Sequence, residues 1–531
     1  MATEEPSAQR RWRAACPNCG APVEFRSAAA PAAVCSFCRS TLARDGETLR
    51  RIGESAELFD DHSPLQLGAA GRYQGAAFTV VGRLQLRYAQ GVWNEWHALF
   101  DTGRSGWLSE DNGRYVIAFD VPLAGADVPE PRALQPGVRC LIDGRPWEVA
   151  WVVLARVQAA QGELPATPNL RDEFFIVDLR NAAGEVGTLD YADPARVVWS
   201  VGRAVELAEL SLIGLAQESA ATLGARSVQC PNCGAALEIR LQATQSIACH
   251  QCRAVVDVSQ GVGADLAHYV QDKPRLDGGE PQIPLGTLGT LALGEKAPTL
   301  PWQVIGYAER CEIPSDADDE QVFWREYLLY NRTAGFAFLI DAEDGWSWTA
   351  PITGAAQGRG AAVVWRGRSY RRLYEYTGQT TYVAGEFYWK LSRGERTRNT
   401  DYASGRFRLN REEAPGEVTW SAGETLEADA VADTFRVPAA KRGALRRDAG
   451  PLAGGGVARA GTIPVLWIFV AIVVMMVLME QCSNDGCEDL RRTFGEASNE
   501  YQQCKRSGAG SSGFRTRGGS FGGFGTGGGH K

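Results

Sequence analysis

The 531-residue sequence is poor in histidine and methionine, with 5 and 4 residues of these types. So few histidines argue against a metal centre built from several imidazoles. The formal net charge is −8, from 55 basic and 63 acidic residues, which argues against a protein that coats nucleic acid through its overall charge. The sequence contains no G-x-S-x-G, P-loop, H-E-x-x-H or dinucleotide-binding motif. These absences favour a protein that is not an enzyme.

An export signal is also missing from the start of the chain. Residues 1–15 contain two glutamates and three arginines and have no apolar stretch. We therefore expect residues 1–12 to form a flexible N-terminus and the bulk of the chain to stay in the cytosol. Cysteines in that compartment are reduced, which disfavours disulfides.

Eight of the thirteen cysteines form two quartets with the same spacing, C-x2-C-x15-C-x2-C. Each C-x-x-C pair turns two thiolates toward one point, and zinc prefers four thiolates in a tetrahedron. The spacing predicts two structural zinc ions, with rubredoxin-like iron as the alternative. No ligand position is left open for catalysis. The predicted ligands are Cys16, Cys19, Cys35, Cys38, Cys230, Cys233, Cys249 and Cys252.

The two predicted zinc ribbons differ in charge. Residues 10–51 carry eight arginines against three acidic residues, whereas residues 226–258 carry three arginines against two acidic residues. The first ribbon therefore has the better basis for contact with phosphate. Solvated surface charge is the favoured interpretation of both, and nucleic-acid binding through the first ribbon stays an alternative.

The chain contains an internal duplication. Residues 16–26 and 230–240 are identical at eight of eleven positions. Further matches follow in the same order, among them a [VI]-G pair ending at Gly82 and Gly306 and a W-x-E-[WY] motif beginning at Trp93 and Trp324. A repeat this long indicates tandem domains and not a solenoid. The chain is thus predicted to contain two copies of a ribbon-plus-body unit.

Alternating polar and apolar residues predict that both bodies are β. The alternation is clear over 82–88 and 383–391, and turn signals such as Asp143-Gly144 separate such runs. The predicted fold class is mainly β, with two units in tandem, each a zinc ribbon plus an antiparallel sandwich- or barrel-like body. The predicted boundaries are 13–45 and 226–258 for the ribbons, and 60–215 and 280–437 for the bodies.

The repeated body, its W-x-E-[WY] and [VI]-G motifs and the neighbouring ribbon resemble the bacterial "domain of unknown function 4178" family. The resemblance covers both bodies. The C-terminal region is similar to that of longer members, in an apolar segment, the stretch 500–504 and a Gly-rich end. The resemblance implies a membrane-anchored protein associated with polyamine-synthesis-like enzymes in systems that respond to membrane stress. It implies no catalytic residues.

The W-x-E-[WY] motif offers the candidate ligand-binding residues Trp93, Glu95, Trp324 and Glu326. Alternate residues of a strand share a face, so the first Trp and the Glu of each copy lie together. An aromatic face beside a carboxylate suits an amine cation. The alternative, which we favour, is a strand whose aromatic residues lie in the core.

A membrane segment is predicted near the C-terminus. The twenty residues 460–479 carry no charge, and as a helix they are long enough to cross a bilayer. We predict a basic linker at 438–459, a transmembrane helix at 460–480 and a Cys-containing, Gly-rich, disordered tail at 481–531. The basic residues cluster before the helix, which places the N-terminal bulk in the cytosol and the tail outside. Cys482, Cys487 and Cys504 lie on the outer side, with their pairing open.

The sequence thus predicts a single-pass protein of the cytoplasmic membrane with two structural zinc ions. We expect it to act as a scaffold or sensor that presents duplicated β modules to other membrane or cytosolic proteins. Two alternatives stay open, an enzyme or ligand-binding protein for a small amine-type substrate, and a nucleic-acid-binding protein.

Overall fold

The computed structural model describes residues 12–447, except 28–29, 46–47, 56–62, 90, 112–113, 124–127, 217–225, 242–243, 260–265, 277–280, 295–296, 315–320, 332–333 and 359. The chain divides into two compact units, and all described residues belong to the one formed by Met1–Pro451 and Gly519–Lys531. No helix among them is long and apolar enough to cross a membrane. The predicted N-terminal segment up to residue 11, the transmembrane segment 460–480 and the tail 481–531 lie outside the described residues.

The first ribbon contains two small antiparallel sheets. One is the hairpin of β1 and β2, and the other joins β3, β4 and β5 in that order. The strands are β1 (Trp12–Ala15), β2 (Pro22–Phe25), β3 (Ala32–Val34), β4 (Ser40–Asp45) and β5 (Thr48–Glu54).

The first body is an eight-stranded closed barrel of antiparallel strands. Its strands and short helices are β6 (Ala70–Tyr73), β7 (Ala76–Tyr88), β8 (Gly91–Phe100), β9 (Ser105–Asp111), β10 (Arg114–Asp120), a 3-10 helix (Pro131–Ala133), β11 (Arg139–Ile142), β12 (Arg145–Leu164), β13 (Phe174–Arg180), β14 (Glu185–Asp190), β15 (Val198–Val205) and a 3-10 helix (Leu207–Leu210). The pairing order is β7-β8-β9-β10-β15-β14-β13-β12, and β12 pairs again with β7. The predicted turn at Asp143-Gly144 joins β11 to β12, with positive φ at both residues.

The second ribbon and body repeat this architecture. The ribbon strands are β16 (Arg226–Gln229), β17 (Ala236–Ile239), β18 (Ser246–Ala248), β19 (Ala254–Asp257) and β20 (His268–Val270). The body strands are β21 (Leu288–Ala292), β22 (Thr299–Ile313), β23 (Phe323–Asn331), β24 (Gly335–Ala342), β25 (Gly345–Ile352), β26 (Ala362–Trp365), β27 (Arg368–Phe387), β28 (Arg396–Ser404), β29 (Phe407–Ala414) and β30 (Glu417–Leu426). The pairing order β22-β23-β24-β25-β30-β29-β28-β27 closes on β22, as in the first copy. The mainly β prediction is confirmed, and of the two predicted body types the barrel is the one observed.

The [VI]-G motif lies where two long strands of each barrel approach closely. Gly82 of β7 pairs with Gly162 of β12, and a Cβ atom on Gly82 would lie 1.9 Å from the carbonyl oxygen of Glu163. In the second barrel Gly306 pairs with Gly385, whose φ is +89°. Glycine is required at this crossing because no side chain fits between the backbones.

Residues after the last strand pack on the second barrel. They form α1 (Ala428–Thr434), α2 (Ala439–Arg442) and a 3-10 helix (Gly443–Leu445). Leu445 is fully buried, its carbonyl accepts a 2.7 Å hydrogen bond from the Trp346 indole, and Arg447 pairs with Asp341. The packed structure therefore extends past the predicted boundary at 437 and includes the first part of the predicted basic linker. The sequence pattern does not predict this extension, because the residues that anchor it, Leu445 and Arg447, lie within a run of basic residues.

Candidate functional site: two metal centres and two barrel interiors

Each cysteine quartet converges on one point. In each quartet the four sulfur atoms lie within 4.8 Å of one another. The Sγ atoms of Cys16 and Cys38 are 3.6 Å apart, and those of Cys19 and Cys35 are 3.7 Å apart. The second quartet repeats these two distances. A tetrahedral zinc ion with bonds of about 2.3 Å would hold its sulfur ligands about 3.8 Å apart, so both clusters fit a metal ion.

Tight turns aim the thiols at this point. The N–H of Gly20 donates a 2.8 Å hydrogen bond to the carbonyl of Cys16, and Gly234 makes the same bond to Cys230. Both glycines have positive φ, 75° and 76°. Glycine adopts this conformation without strain, which is why it follows the second cysteine in each copy.

The local electrostatics favours a bound cation in the first quartet. Hydrogen bonds with the Asn18 side chain and with Ser40 lower the pKa of Cys38 to about 5. A backbone hydrogen bond from Ala21 lowers the pKa of Cys19, but the neighbouring Cys38 sulfur and burial outweigh it and raise that pKa to about 12. Four thiols this close cannot all ionise without a compensating positive charge. A metal ion bound by the four sulfur atoms would supply that charge.

In each copy, a buried glutamate of the barrel, here called the locking glutamate, joins the ribbon to the barrel through hydrogen bonds. Glu163, at the end of β12, accepts hydrogen bonds of 2.6 and 2.9 Å from the N–H groups of Arg26 and Ser27. Its counterpart Glu386, at the end of β27, accepts bonds from the N–H groups of Arg240 and Leu241 and from a threonine hydroxyl. Both carboxylates are less than a tenth exposed. These bonds connect each cysteine-bearing ribbon to its barrel in both copies.

The W-x-E-[WY] motif lies inside the barrels. The Trp93 indole donates a 3.1 Å hydrogen bond to Glu95, and the Trp324 indole donates a 2.5 Å bond to Glu326. All four side chains are at most 9% exposed. In these bonds the Trp and the Glu of each copy lie together, and Trp96 lies on the opposite face, where it donates to Glu110.

The strand register identifies which face turns inward. Tyr327 and Leu329 pack with Val431 and Phe435 of α1, so their face is the outer one. The opposite face of β23, which carries Glu326, therefore turns into the barrel. Cross-strand pairs share a face, so the register extends this assignment around the second barrel, and the matching positions of the first barrel are assigned by correspondence.

The two interiors differ in polarity. In the first barrel, apolar residues hold six corresponding inward positions, namely Leu86, Trp93, Val116, Ala118, Val153 and Ile176. In the second barrel the same positions hold mostly polar residues, namely Arg310, Trp324, Ser347, Thr349, Tyr376 and Asn399. Barrels with the same strand order therefore accept either apolar or polar residues at these six positions. The first barrel also has inward polar residues, Glu95, Ser109 and Asp178, so the second copy differs by a more extensive polar interior, with Arg310 in place of Leu86.

Arg310 is the centre of the polar interior. Its guanidinium lies 3.7 Å from Glu326 and 3.4 Å from Glu412, and it donates a 2.6 Å hydrogen bond to Thr397. It also lies 5.6 Å from the Trp324 ring centroid. Burial alone would lower the pKa of Arg310, but Glu326 and Glu412 raise it. Burial raises the pKa of both glutamates, that of Glu412 strongly.

Sequence reasoning missed the ribbon-locking glutamates and the polar interior. Glu163 and Glu386 align in the two copies and each directly follows a glycine, which is the signal that a closer comparison would have used. Arg310 has no such signal, since its counterpart Leu86 differs in chemistry. Only the closed register reveals that Arg310 faces two glutamates from other strands.

Comparison with known proteins agrees with the duplication. The model of a family described as "Domain of unknown function (DUF4178)" matches residues 66–207 and 299–428, which together make up just over half of the chain. The chain belongs to the DUF4178 family. Each matched region of this DUF4178 chain contains one barrel, and neither includes a cysteine quartet. Searches of curated proteins and of solved structures found no match.

Proposed function

We propose that this DUF4178 chain is a membrane-anchored scaffold or sensor whose two zinc ions fix a ribbon on each of two barrels. The observation that carries the proposal is the convergence of all four sulfur atoms in both quartets. A metal with four protein ligands has no position for a substrate, so such a centre is structural. Such a centre would hold each ribbon in one conformation, and Glu163 and Glu386 would fix that ribbon on its barrel.

Zinc is the metal that fits best. Four thiolates in tetrahedral array suit zinc, with iron as the alternative. The thiolates must be reduced, which agrees with a cytosolic position for the ribbons. The membrane anchor of the proposal rests on the uncharged segment 460–479 of the sequence.

The arginines of the first ribbon support a protein scaffold over a nucleic-acid binder. Arg13 pairs with Glu24, and Arg51 lies 3.0 Å from Glu54. The guanidinium of Arg44 lies 4.5 Å from the Trp12 ring centroid. Arginines engaged in this way contribute less to a phosphate-binding surface than free ones.

The contacts of the W-x-E-[WY] motif favour a structural role over amine binding. A cation beside Trp324 and Glu326 is what an amine site would require. The guanidinium of Arg310 already has that position, against the Trp324 ring and beside the Glu326 carboxylate. The second barrel thus supplies its own cation to its copy of the motif.

Capture of partners from native membranes tests the proposal. The intact protein and a Cys19→Ser/Cys233→Ser variant are purified from native membranes, and the proteins retained by each are identified. A scaffold that depends on its metal centres should retain partners that the variant loses. Retention of the same set by both proteins, or of none by either, would count against the proposal.

A further inference from the structure

A cleft of about 200 Å³ lies beside the second barrel. One wall is the segment 269–275, which begins in the last strand of the second ribbon, and the other comes from β22 and β27. Its lining is mostly polar and includes Gln271, Gln379, Thr380, Thr381, Cys311 and Gln321. The space suits a small polar molecule.

Three cationic side chains line this cleft: Lys273, Arg275 and Arg393. All three are exposed, and none makes a side-chain hydrogen bond or an ion pair with another described residue. Other arginines of this barrel do form ion pairs, as Arg398 does with Glu375. The lining contains one carboxylate, Asp272, so its net charge is positive.

The backbone that carries two of these cations is held firmly. Gln271 makes two hydrogen bonds with the backbone of Val383, of 2.7 and 2.9 Å. The N–H groups of Arg275 and Leu276 donate to the carboxylate of Glu309, which is fully buried. The cations therefore project from a fixed frame, which lowers the entropy lost when they bind a ligand.

The first copy differs at this place. Arg87 has the position that corresponds to Cys311, and its guanidinium donates a 2.7 Å hydrogen bond to Gln158. Burial raises the pKa of the Cys311 thiol, which therefore stays protonated and neutral at pH 7. The second copy thus has a short neutral side chain where the first copy has a long cation, and its cations come from the opposite wall and from Arg393.

We propose that this cleft binds a small molecule that carries an oxyanion, either a phosphate or a carboxylate. Guanidinium groups match both anions through paired N–H donors, and the ammonium of Lys273 adds a point charge. The neutral amide and hydroxyl groups of the lining fit the uncharged part of such a ligand. The inference is independent of the scaffold proposal, because it involves no metal and no membrane.

Calorimetry of the full-length protein tests the proposal, with inorganic phosphate and citrate as separate probes. The parent should bind at least one probe, and the probe that binds identifies the anion. Arg275→Gln/Arg393→Gln should weaken binding about tenfold or more, since two charge-assisted contacts are lost. The control Arg132→Gln/Arg171→Gln changes the net charge equally at exposed positions of the first barrel and should bind like the parent. Absence of binding to both probes, or equal weakening in both double variants, would overturn the proposal.

Discussion

Replacement of Arg310 by leucine should destabilise the second barrel selectively. Leucine is the residue of the first barrel at this position, Leu86, so it suits an inward position of this fold. The change leaves Glu326 and Glu412 buried without their cation, both being at most 2% exposed. Loss of one partner from a buried ion pair costs about 3–5 kcal/mol, because the remaining charge stays desolvated. We expect a loss of this size at pH 7.

The loss should shrink as the pH falls. Burial raises the pKa of Glu326 and Glu412 in the folded state, so ionisation of these groups opposes folding. For such groups, stability is lost as pH rises from the unfolded value of about 4.3 through the folded pKa. Arg310 lowers the pKa of both glutamates and so counteracts the effect of burial. Without Arg310 their pKa should rise further, and the variant should lose more stability than the parent between pH 5 and pH 7.

Amide hydrogen exchange of the full-length protein measures this effect with an internal control. Peptides from β22–β30 should exchange faster in the variant at pH 7, while peptides from β7–β15 should exchange as in the parent. The additional change Glu412→Gln should recover part of the loss, because one uncompensated charge is removed. Unchanged protection of the second barrel, or equal loss in both barrels, would refute the account of the polar interior.

Three further predictions concern the ribbon, the strand crossing and the membrane segment. Glu386→Gln should weaken the attachment of the second ribbon to its barrel by about 1–3 kcal/mol, because the N–H groups of Arg240 and Leu241 lose a carboxylate acceptor. Limited proteolysis should then cleave this ribbon from the protein more readily. Equal release of the first ribbon, which Glu163 holds, would contradict the assignment. Gly385→Ala should lower stability by at least about 1 kcal/mol, since φ is +89° and the new Cβ would lie 2.2 Å from the Ile305 carbonyl oxygen; an unchanged thermal midpoint would be inconsistent with that crossing. Deletion of 460–480 should move the protein from the membrane fraction to the soluble fraction, and retention in the membrane would remove the basis for the anchor.

Local patterns in the sequence predicted the metal centres and the β class. C-x-x-C spacing reflects a short turn that needs no distant contact, so both quartets could be named from spacing alone. Period-2 alternation likewise predicted strands such as β7, which begins at Ala76 and ends at Tyr88. The order of the strands could not be predicted, because the pairing of β10 with β15 joins residues that are about eighty to ninety positions apart.

The polar interior was out of reach for a further reason. Alternation assigns one face to the core and one to solvent, but covered parts of a closed barrel bury both faces. Glu326 and Tyr327 are adjacent and both buried, so no polarity pattern tells which one turns inward. The [VI]-G motif was recognised as a repeat. The reason for its glycine is the close approach of Gly82 to Gly162, which are eighty positions apart in the sequence.

Metal analysis of the full-length protein, purified under reducing conditions, tests the central claim most directly. The account predicts two zinc ions per chain, one in each quartet. Cys19→Ser and Cys233→Ser should each remove one ion and leave the other in place, because the quartets are separate. Purified protein with no bound metal, or loss of both ions from a single substitution, would contradict the account.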